Sequence, residues 1–228
     1  MCGRYTLNTD PEKLISLFSL KEDVSESSLY SRFNIAPSQK ILAVTNTNGI
    51  NAISCFTWGL LPRWASNGRR HQPIINARAE TAPDKIRFSN AFRNRRCLIP
   101  ATGYFEWFKT KEGKKQPVLI HREGEKCFGI AGLWEPPLTS TSSSRCVIIT
   151  QEAQGHVSDI HSRMPLIVDP ADYNKWLEIK TPSSIIKDVL TSPTEITLKI
   201  RQVTKIVNSP KNDSPECIQA FKTEKSAN

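Results

Sequence analysis

Hydrophobic and polar positions change over in short runs along this chain, and the period of each run predicts its backbone state. After Gly3, the residues Arg4-Tyr5-Thr6-Leu7 read as a glycine turn into a short strand. Between Pro11 and Leu20 the apolar residues Leu14, Ile15, Leu17, Phe18 and Leu20 form a helical stripe, with Asp10 as cap and Pro11 in the first turn. A polar stretch from Ser25 to Ser31 predicts a loop, and Arg32 to Pro37 a structured loop ahead of a strand at Ile41 to Val44. Asn48-Gly49 is a hairpin signal leading into a second strand, Ala52 to Trp58. The apolar loop Trp58 to Trp64 follows, ending in the polar tip Asn67-Gly68-Arg69-Arg70.

Beyond it, a short strand puts Asn76 and Arg78 on one face before a helix running to about Phe92. Strands are expected at Arg96 to Ile99, Tyr104 to Phe108, Val118 to His121, Cys127 to Leu133, Cys146 to Thr150 and Leu166 to Val168. Asp169-Pro170 opens a helix through Trp176, Ser183 to Leu190 forms another, and Ile196 to Val203 is a late strand. The segment from Ser209 is polar and expected to be loosely held. Many short strands with a few helices imply an α+β fold, with a curved, mainly antiparallel, barrel-like sheet and flanking helices. No period of about 20 to 50 residues repeats.

Composition narrows the function classes. A chain of 228 residues with 38% hydrophobic content can bury the core of one large domain. Its 31 basic and 22 acidic residues leave a net charge of +9, which favours an anionic partner, commonly nucleic acid. No apolar run approaches the roughly 18 residues needed to span a bilayer, and no signal-peptide pattern is present. The 6 cysteines (Cys2, Cys55, Cys97, Cys127, Cys146 and Cys217) lie far apart, and four of them sit in apolar strand-like runs. Reduced thiols in a cytoplasm or nucleoid are the expectation.

Several residues could carry chemistry. If the initiator Met1 is trimmed, the chain begins at Cys2, with an α-amine and a thiol on adjacent carbons. Their reference pKa values, about 8 and about 8.5, leave both partly deprotonated near neutrality. Such a 1,2-aminothiol condenses with an aldehyde: imine first, then thiol addition to close a thiazolidine ring. The alternative is an incidental residue at a frayed terminus. Glu106 lies between Phe105 and Trp107 in an alternating strand, on the side shared with Tyr104 and Phe108. Aromatic surroundings raise a carboxyl pKa towards values useful in acid–base work, unless the residue is an ordinary solvated glutamate. His161, in Asp159-Ile160-His161-Ser162-Arg163, can exchange protons at working pH. With His156 it has no third ligand nearby, and neither H-E-x-x-H nor paired cysteines occur, so no metal is expected. Arg4, Arg78 and Arg163 each accompany one of these polar residues, and guanidinium suits phosphate. Trp58 and Trp64 flank Arg63 in a loop suited to stacking on unpaired bases, with core packing as the alternative, favoured for Trp58.

Taken in order, the motifs resemble the SOS-response-associated peptidase (SRAP) family, whose members process abasic sites. They are Cys2-Gly3-Arg4-Tyr5, Phe33-Asn34-Ile35-Ala36-Pro37 and Trp58-Gly59-Leu60 with Pro62 and Trp64. Next come Ile75-Asn76-Ala77-Arg78 with Glu80-Thr81, Arg96 to Pro100, and Gly103 to Trp107. Asp159-Ile160-His161, Arg163-Met164-Pro165 and Val207 to Lys211 complete the set. The resemblance runs from Cys2 to about Asn212 and implies one SRAP domain over 2–212 with a polar tail at 213–228. It implies binding to abasic sites in single-stranded DNA and a covalent thiazolidine crosslink through Cys2, which shields the lesion from strand cleavage. Asn76, Glu106 and His161 match the residues that position and protonate the opened sugar. Arg4, Arg78 and Arg163 match phosphate contacts, and Pro37 and the Trp58 to Trp64 loop match DNA contacts near the lesion. No cofactor, metal or membrane is implied, and a cytoplasmic, nucleoid-associated monomer acting in the SOS response is expected. Lyase and self-processing peptidase (hydrolase) activities stay open. So do an N-terminal-nucleophile cysteine peptidase, with the α-amine or His161 as base, and a passive single-strand-binding module.

Overall fold

The computed structural model describes residues 2–21, 31–62, 72–191 and 196–221. In chain order the first half comprises β1 (Tyr5–Asn8), α1 (Pro11–Phe18), β2 (Ser31–Ile35), β3 (Lys40–Thr47), β4 (Ile50–Trp58), β5 (Asn76–Arg78), α2 (Ile86–Asn94), β6 (Arg96–Ala101) and β7 (Gly103–Lys109). The second half adds β8 (Lys115–Arg122), β9 (Phe128–Glu135), β10 (Arg145–Glu152), β11 (Arg163–Pro165), β12 (Ile167–Val168), α3 (Tyr173–Leu177), α4 (Ser183–Thr191) and β13 (Leu198–Gln202). This is the expected α+β architecture with mostly antiparallel strands.

Local chemistry explains most boundaries. Pro11 starts α1, and Ser19 ends it in the left-handed region at φ 50. Asp10 precedes the helix but caps no N–H, and its carboxylate pairs with Lys13 at 2.7 Å instead. Asn48 (φ 52) and Gly49 (φ 81) form the tight β3–β4 turn that their types favour. Arg32 to Pro37, expected as a loop, is mostly strand. The β1 edge captures it, pairing Tyr5 with Ile35 and Leu7 with Arg32. The expected loop at Ser25 to Ser31 lies almost wholly outside the described residues.

Two sheets share the strands. One runs β13-β8-β7-β1-β2, antiparallel throughout. In the other, β4, β3, β6, β9 and β10 pair in succession, and β10 returns to β4 through Arg145↔Thr57 and Cys146↔Trp58. That return closes a barrel. The chain passes from barrel to open sheet at Thr102, whose N–H donates to the Thr6 carbonyl at 2.8 Å. The main core fills the barrel and the space between it and the open sheet. Phe105, Leu119, Val203, Val207 and Cys217 make a second cluster on the far face of that sheet. Ser209 to Phe221 are therefore packed rather than loose: Cys217 is fully buried, and Asp213 accepts the Phe33 and Asn34 N–H groups. Of the strand cysteines, Cys97, Cys127 and Cys146 are buried but Cys55 is exposed.

Arg96 ties the helices to the barrel. Its buried guanidinium donates to the carbonyls of Trp176, Phe92, Arg93 and Glu178. Burial draws its pKa down to about 10. Among the described residues no helix is long and apolar enough to cross a membrane.

Gly132 lies where β6, β9 and β10 meet, opposite both Cys97 and Ile148. A Cβ there would stand 2.9 Å from the Cys97 sulfur and 3.1 Å from the Val147 carbonyl oxygen. Gly132→Ala is expected to lower stability by about 1–3 kcal/mol through overpacking. Urea denaturation reads this directly, and an unchanged midpoint would mean that the seam gives way freely.

Candidate functional site

The junction of open sheet and barrel gathers the polar residues. β1 begins just after Cys2, and β7 pairs beside it in the register Tyr5↔Tyr104. Alternation along β7 sends Tyr104 into the main core and Phe105 into the second cluster. Glu106 shares the Tyr104 face and is only 5% exposed. From the barrel, β10 carries β5 on one side and β11 on the other, in the registers Ile148↔Asn76 and Glu152↔Arg163. His161 comes two residues before β11 begins at Arg163.

These groups meet. Asn76 donates from Nδ2 to the Cys2 carbonyl at 2.9 Å, which anchors the start of the chain. Cys2 is 0% exposed rather than frayed. Its sulfur contacts the Arg4 carbonyl oxygen at 4.0 Å. Burial raises the Glu106 carboxyl pKa, and the nearby His161 opposes part of that rise. The Arg163 N–H donates to His161 Nδ1 at 2.9 Å, which puts the proton of a neutral imidazole on Nε2.

The Cys2 thiol corrects an expectation. Its reference pKa predicted partial ionisation at neutrality, but burial and then the Glu106 charge push it far up. The thiol is held as S–H, and a base is needed to release it. Glu106, a carboxyl with a raised pKa beside it, is suited to that exchange.

Arginines and tryptophans separate by environment. Arg78 is exposed, and its guanidinium makes no hydrogen bond or ion pair among the described residues. Arg163 is committed: it donates to both Glu80 carboxylate oxygens, at 2.7 and 2.9 Å, and to the Thr150 carbonyl at 2.6 Å. Arg4 donates to Asn34 Oδ1 at 2.7 Å and to the Val207 carbonyl at 2.8 Å, and lies over the Trp107 ring. Trp58 is a core residue, 0% exposed, with its indole N–H on the Ile75 carbonyl and its ring edge-on to Tyr5. It has no free face for a base: core packing, the alternative favoured for Trp58, is what the structure shows, and the DNA contact that the resemblance implied for it is corrected. Trp64 lies outside the described residues. Pro37 is half-buried at the turn after β2.

Sequence reasoning passed over two residues that organise the site. Asn34 gathers the carbonyls of Val207, Ser209 and Asn212 with its Nδ2 while its Oδ1 receives Arg4. Glu80 holds Arg163. Both stood inside recognised motifs, but no local periodicity marks a partner 173 to 178 positions away. Among the described residues no cluster of His, Cys, Asp and Glu could hold a metal ion.

The raised Glu106 pKa has a signed consequence. A carboxyl that binds its proton more tightly when folded keeps full stability below its unfolded pKa of about 4.3 and loses stability as pH rises towards the folded value. Glu106→Gln is therefore expected to gain stability relative to the native protein between about pH 4 and 7, and to lack that gain at about pH 3. Urea midpoints across pH test this. A constant offset at every pH would remove the perturbed carboxyl.

The family described as SOS response associated peptidase (SRAP) matches residues 1–210. The abasic site processing protein YoqW of Bacillus subtilis (strain 168) is 34% identical over 223 residues, covering 96% of this chain and 100% of its own. The abasic site processing protein YedK of Escherichia coli (strain K12) is 28% identical over 228 residues, covering 96% of this chain and 99% of its own. The abasic site processing protein HMCES of Xenopus tropicalis is 27% identical over 197 residues, covering 74% of this chain and 57% of its own. Among solved structures, a Bacteroides thetaiotaomicron protein superimposes with a TM-score of 0.78 at 23% identity, covering 97% of this chain and 100% of its own, which speaks for the fold. With its ordered motifs, its sheet junction and a family match over nearly its whole length, this chain belongs to the SOS response associated peptidase (SRAP) family.

Proposed function

We propose that this protein captures abasic sites in single-stranded DNA, using the α-amine and thiol of Cys2 once Met1 is removed. The observation that carries the reading is the anchored, fully buried Cys2, its carbonyl on Asn76 and its thiol within the field of Glu106. The names of similar proteins, YoqW and YedK among them, support abasic-site processing as the setting. While Met1 is attached the nitrogen of Cys2 is an amide and cannot form an imine, so its removal switches the chemistry on.

The reaction balances with the groups present. An abasic deoxyribose is mostly a closed hemiacetal. Glu106, as a carboxylic acid, takes the C1′ hydroxyl proton on one oxygen and gives its own to the ring oxygen, which the His161 Nε2–H holds by a hydrogen bond, and the aldehyde opens. The Cys2 amine adds to C1′, and Glu106 protonates the departing hydroxyl, so that one water leaves and an imine forms. Glu106, now a carboxylate, takes the thiol proton as sulfur adds to C1′. The imine nitrogen, protonated as water left, becomes a neutral ring N–H, and the thiazolidine closes with Glu106 an acid again. Loss of the imine removes the electron sink that drives β-elimination, so the strand stays whole.

Arg78, exposed and uncommitted, is the arginine best placed for a phosphate. Arg4 and Arg163 act chiefly as braces for the chain beside Cys2 and His161. The surplus of basic residues adds attraction for any nucleic acid.

Intact mass spectrometry with an abasic oligonucleotide is the decisive measurement. The expected product weighs as much as the Met1-free protein plus DNA, minus one water. Cys2→Ala, or a chain that retains Met1, is expected to give no adduct while still binding DNA noncovalently. Full adduct from either would defeat the reading, and equal affinity for intact and abasic strands without any adduct would favour passive binding. Arg78→Ala should flatten the salt dependence of binding by about 0.7 in log–log slope, as for one lost single-strand phosphate contact. An unchanged slope removes Arg78 from that role.

A further inference from the structure

Tyr104 is fully buried, yet its hydroxyl has no hydrogen-bond partner among the described residues. A phenylalanine would fill the same space without the penalty of about 1–3 kcal/mol that an unpaired buried hydroxyl carries. Such groups in native structures call for an explanation. The register puts Tyr104 beside β1, and Cys2 and Tyr104 belong to the same core cluster. The Arg4 carbonyl that touches the Cys2 sulfur at 4.0 Å also accepts the Phe105 N–H at 2.9 Å. The sulfur therefore lies over the β1–β7 seam at the level of Phe105. Phe105 points to the far face, and its neighbours Tyr104 and Glu106 both point to the face of the main core.

We propose that Tyr104 is a further working group of this site, whose hydroxyl donates a hydrogen bond to the Cys2 sulfur as Glu106 takes the thiol proton. The assignment rests on Cys2 being the nucleophile, as argued above. It supplies what the site otherwise lacks. A sulfur surrounded by core and facing a carboxylate needs a donor once it becomes an anion, and neutral Asn76 already spends an N–H on the Cys2 carbonyl. Burial, then the charges of Cys2 and Glu106, hold the phenol protonated far above neutrality. It stays a donor throughout the working range, gives up no proton and needs no co-reactant.

The other groups near the sulfur are accounted for. Glu106 on β7 opposes the thiolate, and His161 beside β11 acts on Glu106. Arg4 is turned towards Asn34 and Val207. Tyr5 on β1 is the natural control. It pairs across the seam with Tyr104 and carries an equally buried, unpaired hydroxyl, but Cys146 and Arg32 act on it more strongly than Cys2 does.

The test is the rate of Cys2 alkylation by iodoacetamide at about pH 7 to 9, read by peptide mass spectrometry on Met1-free protein without DNA. Tyr104→Phe is expected to slow it about ten- to a hundredfold at each pH, the effect of losing one hydrogen bond to an anion. Tyr5→Phe is expected to leave it within about twofold. Crosslinking to abasic DNA at neutral pH should slow by a similar factor in Tyr104→Phe. An unchanged rate in Tyr104→Phe, or an equal slowing in Tyr5→Phe, overturns the assignment. Urea midpoints of both variants separate a folding defect from a loss of thiolate. Should native protein form no adduct while Tyr104→Phe still slows alkylation, the capture reading falls and the Tyr104–Cys2 coupling stands.

Discussion

Everything at this site depends on one hydrogen bond from the barrel to the first residues of the chain. Asn76 Nδ2 holds the Cys2 carbonyl at 2.9 Å, so β5 of the barrel and the approach to β1 of the open sheet are fastened at a point where a terminus usually frays. Without that tie, Cys2 has no fixed relation to Glu106, and its chemistry is that of a free amino acid in water. With it, sulfur and carboxyl share one buried environment beside the half-buried imidazole: Glu106 raises the proton affinity of the thiol, and His161 opposes part of the rise at Glu106.

That environment reverses the ordinary logic of a reactive cysteine. Reactive thiols generally sit in electropositive, partly exposed surroundings that lower their pKa. Here burial and a carboxylate hold the proton on, and the raised Glu106 is what can remove it. The thiol is thereby kept protonated until the proton can pass directly to a neighbouring base. The cost is an unfavourable buried carboxyl, which the surrounding core offsets.

The arginines show how the fold spends its positive charge. Arg163 is tied to Glu80 and its N–H steers His161, while Arg4 is stacked on Trp107 and bonded to a carbonyl 203 positions away. Both brace the frame around Cys2 and His161. Arg78, on the short β5 next to Asn76, remains exposed. The C-terminal segment joins the same frame: Asn34 and Asp213 fix it against β2, and its Val207 and Cys217 close the second cluster.

Sequence alone determined the elements whose cause is local. The period-two pattern of β7, the Asn48-Gly49 turn and the proline-started α1 are legible because each depends on neighbours within a few residues. The same alternation correctly put Glu106 on the Tyr104 face, and the ordered motifs identified the family. Only the tertiary structure decided what stood opposite each face. It made a strand of Ser31–Ile35, packed the polar segment after Ser209 and raised the Cys2 thiol. Those outcomes depend on partners distant in the chain, and a residue's period reports the side on which it lies, never the group it will meet there.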